Sequence, residues 1–258
     1  MPLQFTGKPG LVIYLTVGDP SLVATQKIAL AALDAGADVL ELGVPFSDPL
    51  ADGPVIQRAS ERALRNGVTL QDVLRLAANL RRERPAAGLV IFSYFNPILQ
   101  MGLVRFAAEA AASGVDGVLV TDLIVEEAAE YRRVLAAHHL QPIFLAAPTS
   151  PDERLRQIAD ASQAFIYAIA RTGVTGAQKD LAADARAVVE RIRPLTQLPI
   201  ALGFGISSPA QVAAAADFAD AVVVGSAIVA RIEASPEAEA PRAVGDFIAS
   251  LRGVSVAQ

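Results

Sequence analysis

Five carboxylates, Asp19, Glu41, Asp48, Asp52 and Asp122, stand where apolar runs of the chain give way to loops. Two carboxyls in different surroundings can divide acid and base duties between them. Glu41 is the most informative of the five. It interrupts the apolar run Val39-Leu40-Glu41-Leu42, where a charge is costly unless it is hydrogen-bonded or faces a polar cavity. It reads either as a structural carboxylate bonded to loop backbone or as a carboxyl aimed into a pocket with its pKa raised by burial. Asp52 follows eleven residues later, in Pro49-Leu50-Ala51-Asp52-Gly53-Pro54. Loop Asp-Gly pairs commonly just make turns, so its interest comes from sharing a site with Glu41. Asp19, in Gly18-Asp19-Pro20, and Asp122 end two other runs. Each is as apt to cap the next helix as to touch a ligand.

Three glycine clusters come late in the chain: Gly173-Val174-Thr175-Gly176, Gly203-Phe204-Gly205 and Gly225-Ser226. Glycine after a strand lets backbone N–H groups approach a ligand closely, and helix N-termini favour anions. Any one cluster is an ordinary turn signal; three together favour a phosphate monoester. The rest of the inventory narrows the chemistry. The only lysines are Lys8, Lys27 and Lys179, none at the end of an apolar run, which disfavours a Schiff-base mechanism. His138 and His139 are neighbours on a predicted helix and lack the i, i+4 spacing of a shared metal. The absence of cysteine removes thiolate chemistry and disulfides, and neither a Gly-x-Ser-x-Gly elbow nor a Walker loop is present. What remains is acid/base chemistry by carboxylates on a small phosphorylated molecule. Tyr94 and Tyr167 are either hydroxyl partners in it or core aromatics.

The elements that must hold these groups are short runs rich in Val, Ile and Leu at 11–17, 38–42, 89–93, 117–121, 142–146, 164–168, 199–202 and 221–224. Most are continuously apolar, as in parallel strands covered on both faces. Ala-rich helical stretches lie between them. Ser150-Pro151-Asp152-Glu153 and Ser208-Pro209-Ala210-Gln211 read as helix starts with Ser at the N-cap, and Thr69 with Asp72 as a weaker box. Eight strands, each followed by a helix, predict an α/β protein of the (β/α)8 barrel type, with a doubly wound open sheet as the alternative. The interval from 38 to 89 is longer than the others, so the loop after strand 2 is elaborated; residues 1–258 read as a single barrel domain. In such barrels the loops after the strands build the active site. Composition agrees: 53% hydrophobic and 19% charged residues suit a large core, and a net charge of −5 offers no basic stripe for nucleic acid. The N-terminal stretch lacks a signal-peptide pattern, and the apolar run 221–230 is too short for a bilayer, which needs about 20 residues. A soluble, cytoplasmic protein is expected.

The segment Glu41-Leu42-Gly43-Val44-Pro45-Phe46-Ser47-Asp48-Pro49-Leu50-Ala51-Asp52-Gly53-Pro54 resembles the signature of the tryptophan synthase alpha chain family. Similar matches run along almost the whole chain. They are Thr16-Val17-Gly18-Asp19-Pro20, Ser93-Tyr94-Phe95-Asn96-Pro97, Arg171-Thr172-Gly173-Val174-Thr175-Gly176, Gly203-Phe204-Gly205-Ile206 and Gly225-Ser226-Ala227-Ile228-Val229. The resemblance implies a (β/α)8 barrel and a lyase that splits indole-3-glycerol phosphate into indole and glyceraldehyde 3-phosphate. It implies Glu41 as general acid/base and Asp52 as acceptor of the indole N–H bond. Tyr14, Tyr94, Tyr167, Thr175 and Phe204 are implied around the substrate, with Thr175 on a mobile loop (171–176) after strand 6. Gly176, Gly205, Gly225 and Ser226 are implied at its phosphate. Asp48 is implied to face a beta chain in an alpha2beta2 heterotetramer. The pyridoxal phosphate belongs to that partner, with no cofactor or metal in this chain. Ile124 stands where the family usually has proline, in a loop near that contact, which keeps a stand-alone indole-releasing lyase open. A subunit that only binds phosphate ligands and regulates the beta chain is the further alternative.

Overall fold

The computed structural model describes residues 3, 5–169, 178–203 and 205–253. The apolar runs fold as parallel strands: β1 (Gly10–Thr16), β2 (Val39–Gly43), β3 (Gly88–Ser93), β4 (Gly117–Val120), β5 (Gln141–Ile143), β6 (Leu145–Ala146), β7 (Ile166–Ile169), β8 (Ile200–Gly203) and β9 (Ala221–Val224). They are hydrogen-bonded in the order β5-β4-β3-β2-β1-β9-β8-β7-β6. The run expected as one fifth strand is divided at Phe144. Its first half pairs with β4 and its second with β7, so the chain through Phe144 closes the ring. There are thus eight strand positions around a (β/α)8 barrel rather than an open sheet.

Around it lie α1 (Leu22–Asp34), α2 (Pro54–Arg65), α3 (Leu70–Glu83), α4 (Phe95–Met101), α5 (Leu103–Ala112), α6 (Ala129–Ala137), α7 (Asp152–Ala161), α8 (Gln178–Ile192), α9 (Pro209–Ala215), α10 (Ser226–Glu233) and α11 (Ala240–Leu251). Two of the three expected caps form. Ser208 Oγ accepts the N–H of Gln211 at 3.4 Å. Thr69 and Asp72 form a complete box, the Thr69 N–H donating to Asp72 at 3.0 Å and the Asp72 N–H to Thr69 at 3.4 Å. Ser150 does not cap α7: its hydroxyl accepts from the Ala147 N–H at 3.2 Å, inside the preceding turn. His138 and His139 fall beyond the end of α6 instead of on it, with His139 at φ 58.

Strand residues alternate between two cores because successive side chains point to opposite faces. Leu11, Ile13, Leu15, Leu40, Leu42, Leu89 and Ile91 point outward under the helices. Val12, Val39, Val90, Leu119, Phe165, Ala201 and Val223 fill the barrel. At the N-terminal end of the barrel, the buried carboxylate of Asp38 accepts from the N–H groups of Thr6 and Leu11 at 2.9 and 2.8 Å. It also pairs with Arg252, whose guanidinium reaches the carbonyls of Pro9 and Gly36. This clamp belongs to the end of the barrel that stabilises, leaving the chemistry to the other. Among the described residues no helix is long and apolar enough to cross a membrane.

Candidate active site

The inward parity of the strands, continued past the packed layers, delivers the site. Tyr14 on β1 is in register with Glu41 on β2, so the two side chains enter the barrel mouth side by side. With Phe92, Leu145, Tyr167, Ile169, Gly203 and Val223 from the other strands and Thr121 directly after β4, they line a cavity of about 220 Å³. Ala51, Asp52, Gly53 and Ile56 close it from the loop after β2 and the start of α2, and Gly225 from the loop after β9.

Glu41 is fully buried. Neither carboxyl oxygen has a hydrogen-bond partner among the described residues, so the structural reading as a loop-bonded carboxylate fails. Burial pushes its pKa up to about 8, because a charge here would lose its hydration without compensation. The neutral acid is therefore the resting form at pH 7, with its proton free for a ligand.

Asp52 is in a different situation. The Tyr94 hydroxyl donates to its Oδ2 at 3.0 Å and itself accepts the Ala51 N–H at 2.9 Å. The Gln57 amide fixes the Asp52 carbonyl at 2.9 Å. Burial raises the Asp52 pKa and the Tyr94 bond opposes it, leaving it at about 6. The loop Asp-Gly is thus more than a turn, since the tyrosine that follows β3, at the N-cap position of α4, aims the carboxylate. Tyr94 is stacked in turn against Phe46, with ring centroids 5.0 Å apart.

Two glycines at strand ends make room for the other tyrosines. A Cβ on Gly43 would lie 2.4 Å from the Tyr14 hydroxyl, and one on Gly203 would lie 2.4 Å from the Tyr167 ring. Gly203 therefore serves ring packing, where its sequence cluster suggested phosphate. Tyr14 also meets Phe92 edge to face at 5.1 Å, and the Thr16 hydroxyl donates to its own at 3.3 Å. Burial and the neighbouring carboxyls of Glu41 and Asp52 hold the Tyr167 hydroxyl well above its usual pKa, as a neutral donor.

The other acids take different places. Asp19 is buried in a two-pronged ion pair with Arg62, at 2.7 and 2.9 Å, while Ser21 caps α1. Asp122 accepts the Phe95 N–H at 2.7 Å, so it caps α4 rather than the helix that follows it. Asp48 is exposed on the loop after β2, accepting from the Ser47 hydroxyl, two residues from Leu50, which is 94% exposed. At the glycine edge, Gly225 precedes α10, Ser226 is its first residue, and Gly205 has φ 64, a conformation that favours glycine. Thr175, Gly176 and Phe204, with the rest of the 171–176 loop, lie outside the described residues. The wall residues Phe92, Thr121, Leu145, Ile169 and Val223 escaped the sequence reading. The signal that finds them is inward parity counted from Glu41. Among the described residues no group of three or more His, Asp or Glu side chains gathers at metal-ligand spacing.

Comparison with known proteins places this geometry. A model of the tryptophan synthase alpha chain family matches residues 3–252. The tryptophan synthase alpha chain of Geobacter sulfurreducens is 47% identical over 250 residues, covering 97% of this chain and 94% of its own. That of Solibacter usitatus is 48% identical over 238 residues, covering 92% and 89%. Among solved structures, the tryptophan synthase subunit alpha of Legionella pneumophila superposes with a TM-score of 0.87 at 36% identity, over 95% of this chain and 92% of that one. A chain from the tryptophan synthase a2b2 complex of Pyrococcus furiosus gives a TM-score of 0.90 at 39% identity, over 97% and 100%.

Proposed function

The chain belongs to the tryptophan synthase alpha chain family, the subunit that cleaves indole-3-glycerol phosphate in tryptophan biosynthesis, and from that premise we propose that Glu41 and Asp52 carry the cleavage. The observation behind this assignment is the split between two carboxyls that line one cavity. Burial without partners keeps Glu41 protonated to about pH 8, while Tyr94 helps hold Asp52 at about 6. At neutral pH one is an acid and the other an anion, each in the state its role requires.

The indole ring lies between Tyr14, Phe92 and Tyr167, with its N–H donated to the Asp52 carboxylate. Glu41 gives its proton to ring carbon C3, and the positive charge that spreads to the ring nitrogen faces Asp52. The Glu41 carboxylate so formed takes the proton of the adjacent side-chain hydroxyl. The bond from C3 to that carbon breaks, its electron pair returns to the ring as indole, and the hydroxyl oxygen becomes the aldehyde of glyceraldehyde 3-phosphate. One proton enters at C3 and one leaves the hydroxyl, so Glu41 ends as it began. The phosphate sits at the N-terminus of α10, where Gly225 and Ser226 present backbone N–H groups and the helix dipole favours an anion. Gly205 flanks it, and Thr175, Gly176 and Phe204 complete the pocket in this reading.

The exposed rim, with Asp48, Leu50 and Ile124 on the loops after β2 and β4, is the face we assign to a beta chain, in an alpha2beta2 assembly like that of the Pyrococcus furiosus relative. Pyridoxal phosphate is assigned to that partner, and the steps above call for no cofactor in this chain, which works in the cytoplasm. The test is indole release from indole-3-glycerol phosphate, with and without a beta chain. Slow release accelerated by the partner is expected, and Glu41→Gln should abolish it while retaining glycerol 3-phosphate binding. Turnover by that variant would overturn the role of Glu41. Fast release indifferent to the partner would mark a free-standing lyase.

A further inference from the structure

A network of charged side chains outside the cavity joins two helices that begin beside its lining residues Gly53 and Gly225. Arg58 and Arg62 stand one turn apart on α2. Arg58 donates to both carboxylate oxygens of Glu233, the last residue of α10, at 2.9 and 2.7 Å. Arg62 Nη1 donates to Glu233 Oε1 at 2.7 Å, and its other two nitrogens hold Asp19 at 2.7 and 2.9 Å. Asp19 lies in the loop after β1, its side chain only 1% exposed. Asn66, which ends α2, donates to the carbonyls of Gly18 and Pro20 in the same loop, at 3.1 and 2.7 Å. β1 is hydrogen-bonded to β2 on one side and to β9 on the other. The network therefore clasps the connections leaving three adjacent strands.

Two of those connections carry lining residues of the cavity, which in the reading above are the carboxylate end and the glycine end of the ligand's span. α2 starts directly after Asp52-Gly53, and its Gln57 holds the Asp52 carbonyl. α10 starts directly after Gly225, which lines the same cavity as Asp52 from the other side of β1. Between the helices, Ala59 and Val229 pack against Tyr14. A shift of α2 against α10 would change the span between the carboxylate end and the glycine end without altering either end by itself. Building on the indole–phosphate reading above, we infer that Arg62 and Glu233 are positioning residues that set this span for a ligand bound at both ends at once. Cleavage requires the ring and the phosphate to be seated together, so a loose joint costs the coupling between half-sites rather than either half-site. The division of labour fits the exposure. Asp19 needs Arg62 because a buried carboxylate left alone is costly. Glu233 and Arg58 are open to solvent, where ion pairs add little to folding but still fix a direction.

The experiment is calorimetric titration of the full chain with three probes: indole, glycerol 3-phosphate, and an indole joined to a phosphate through a three-carbon chain. The wild type should bind the joined probe far more tightly than either fragment. Glu233→Gln should keep the wild-type melting temperature and both fragment affinities while losing about tenfold on the joined probe, within the usual range of coupling between sites. Arg62→Lys, which leaves a cation beside Asp19 but cannot span two carboxylates, should show the same pattern. Unchanged affinity for the joined probe in both variants would overturn the inference, as would a parallel loss on all three probes. A wild type that gains nothing from joining the fragments would instead overturn the indole–phosphate reading, and this inference with it.

Discussion

Replacing Glu41 with Gln should remove a pH-dependent cost to stability in the same stroke that silences the protein. An exposed glutamate titrates near 4.5, and burial moves Glu41 to about 8. Between those values the unfolded chain releases the proton and the folded chain keeps it. The folded state then binds more protons, so stability falls as pH rises through this window. At pH 7 the unfolded carboxyl is about 2.5 pH units above its pKa, and at about 1.4 kcal/mol per unit this one group costs the fold about 3 kcal/mol. Above pH 8 the cost levels off near about 5 kcal/mol. Glutamine fills nearly the same volume, does not titrate, and forfeits no hydrogen bond, since neither Glu41 oxygen has a partner among the described residues. The stability difference between the two proteins should therefore shift towards the Glu41→Gln variant by about 3 kcal/mol between pH 4.5 and pH 7, on top of any pH-independent cost of burying the unpaired amide. Urea unfolding at pH 4.5, 7 and 8.5, with the same slope against denaturant in both proteins, measures this directly. A difference that does not grow with pH would refute the claim that burial holds this carboxyl neutral.

Tyr94→Phe removes the bond to Asp52 that opposes burial. The acidic limb of the kcat/KM profile, expected near pH 6 in the wild type if Asp52 acts as an anion, should move upward, while the basic limb expected near 8 from Glu41 should stay in place. Movement of both limbs together would contradict separate roles for the two carboxyls. Gly203→Ala places a methyl where the Tyr167 ring lies, at 2.4 Å, and should destabilise by about 1–3 kcal/mol while lowering kcat. Thermal unfolding and initial rates with indole-3-glycerol phosphate read both effects, and an unchanged kcat would remove Tyr167 from the site.

Much of this arrangement was legible because it rests on local rules. Continuous Val/Ile/Leu runs at regular spacing imply covered parallel strands, and one acid inside such a run must face something other than the core. Glu41 does so. The run 142–146 was harder: its division at Phe144 arises from closing the ring, a property of the whole barrel that no five-residue window contains. Ser150 and Ser208 show the same limit on a smaller scale. Both precede Pro at a helix start, yet Ser150 spends its hydroxyl on Ala147, because the turn before α7 brings that N–H within reach.

Asp19 and Asp52 mark the boundary most clearly. In the sequence they are alike, each next to a glycine, with a proline one or two residues on, in the loop after a strand. Their chemistry is decided by partners 43 and 42 residues away. Arg62 is a permanent cation and binds Asp19 through two nitrogens, which commits that carboxylate to holding the loop after β1 against α2. Tyr94 offers Asp52 one neutral hydroxyl, enough to aim it but not to neutralise it, and burial leaves its pKa close to the working range. Position completes the difference, since Asp52 lines the cavity with Glu41 and Asp19 does not. What separates the ion-paired aspartate from the one in the cavity is therefore which side chain a distant loop or helix supplies, and only the folded register determines that.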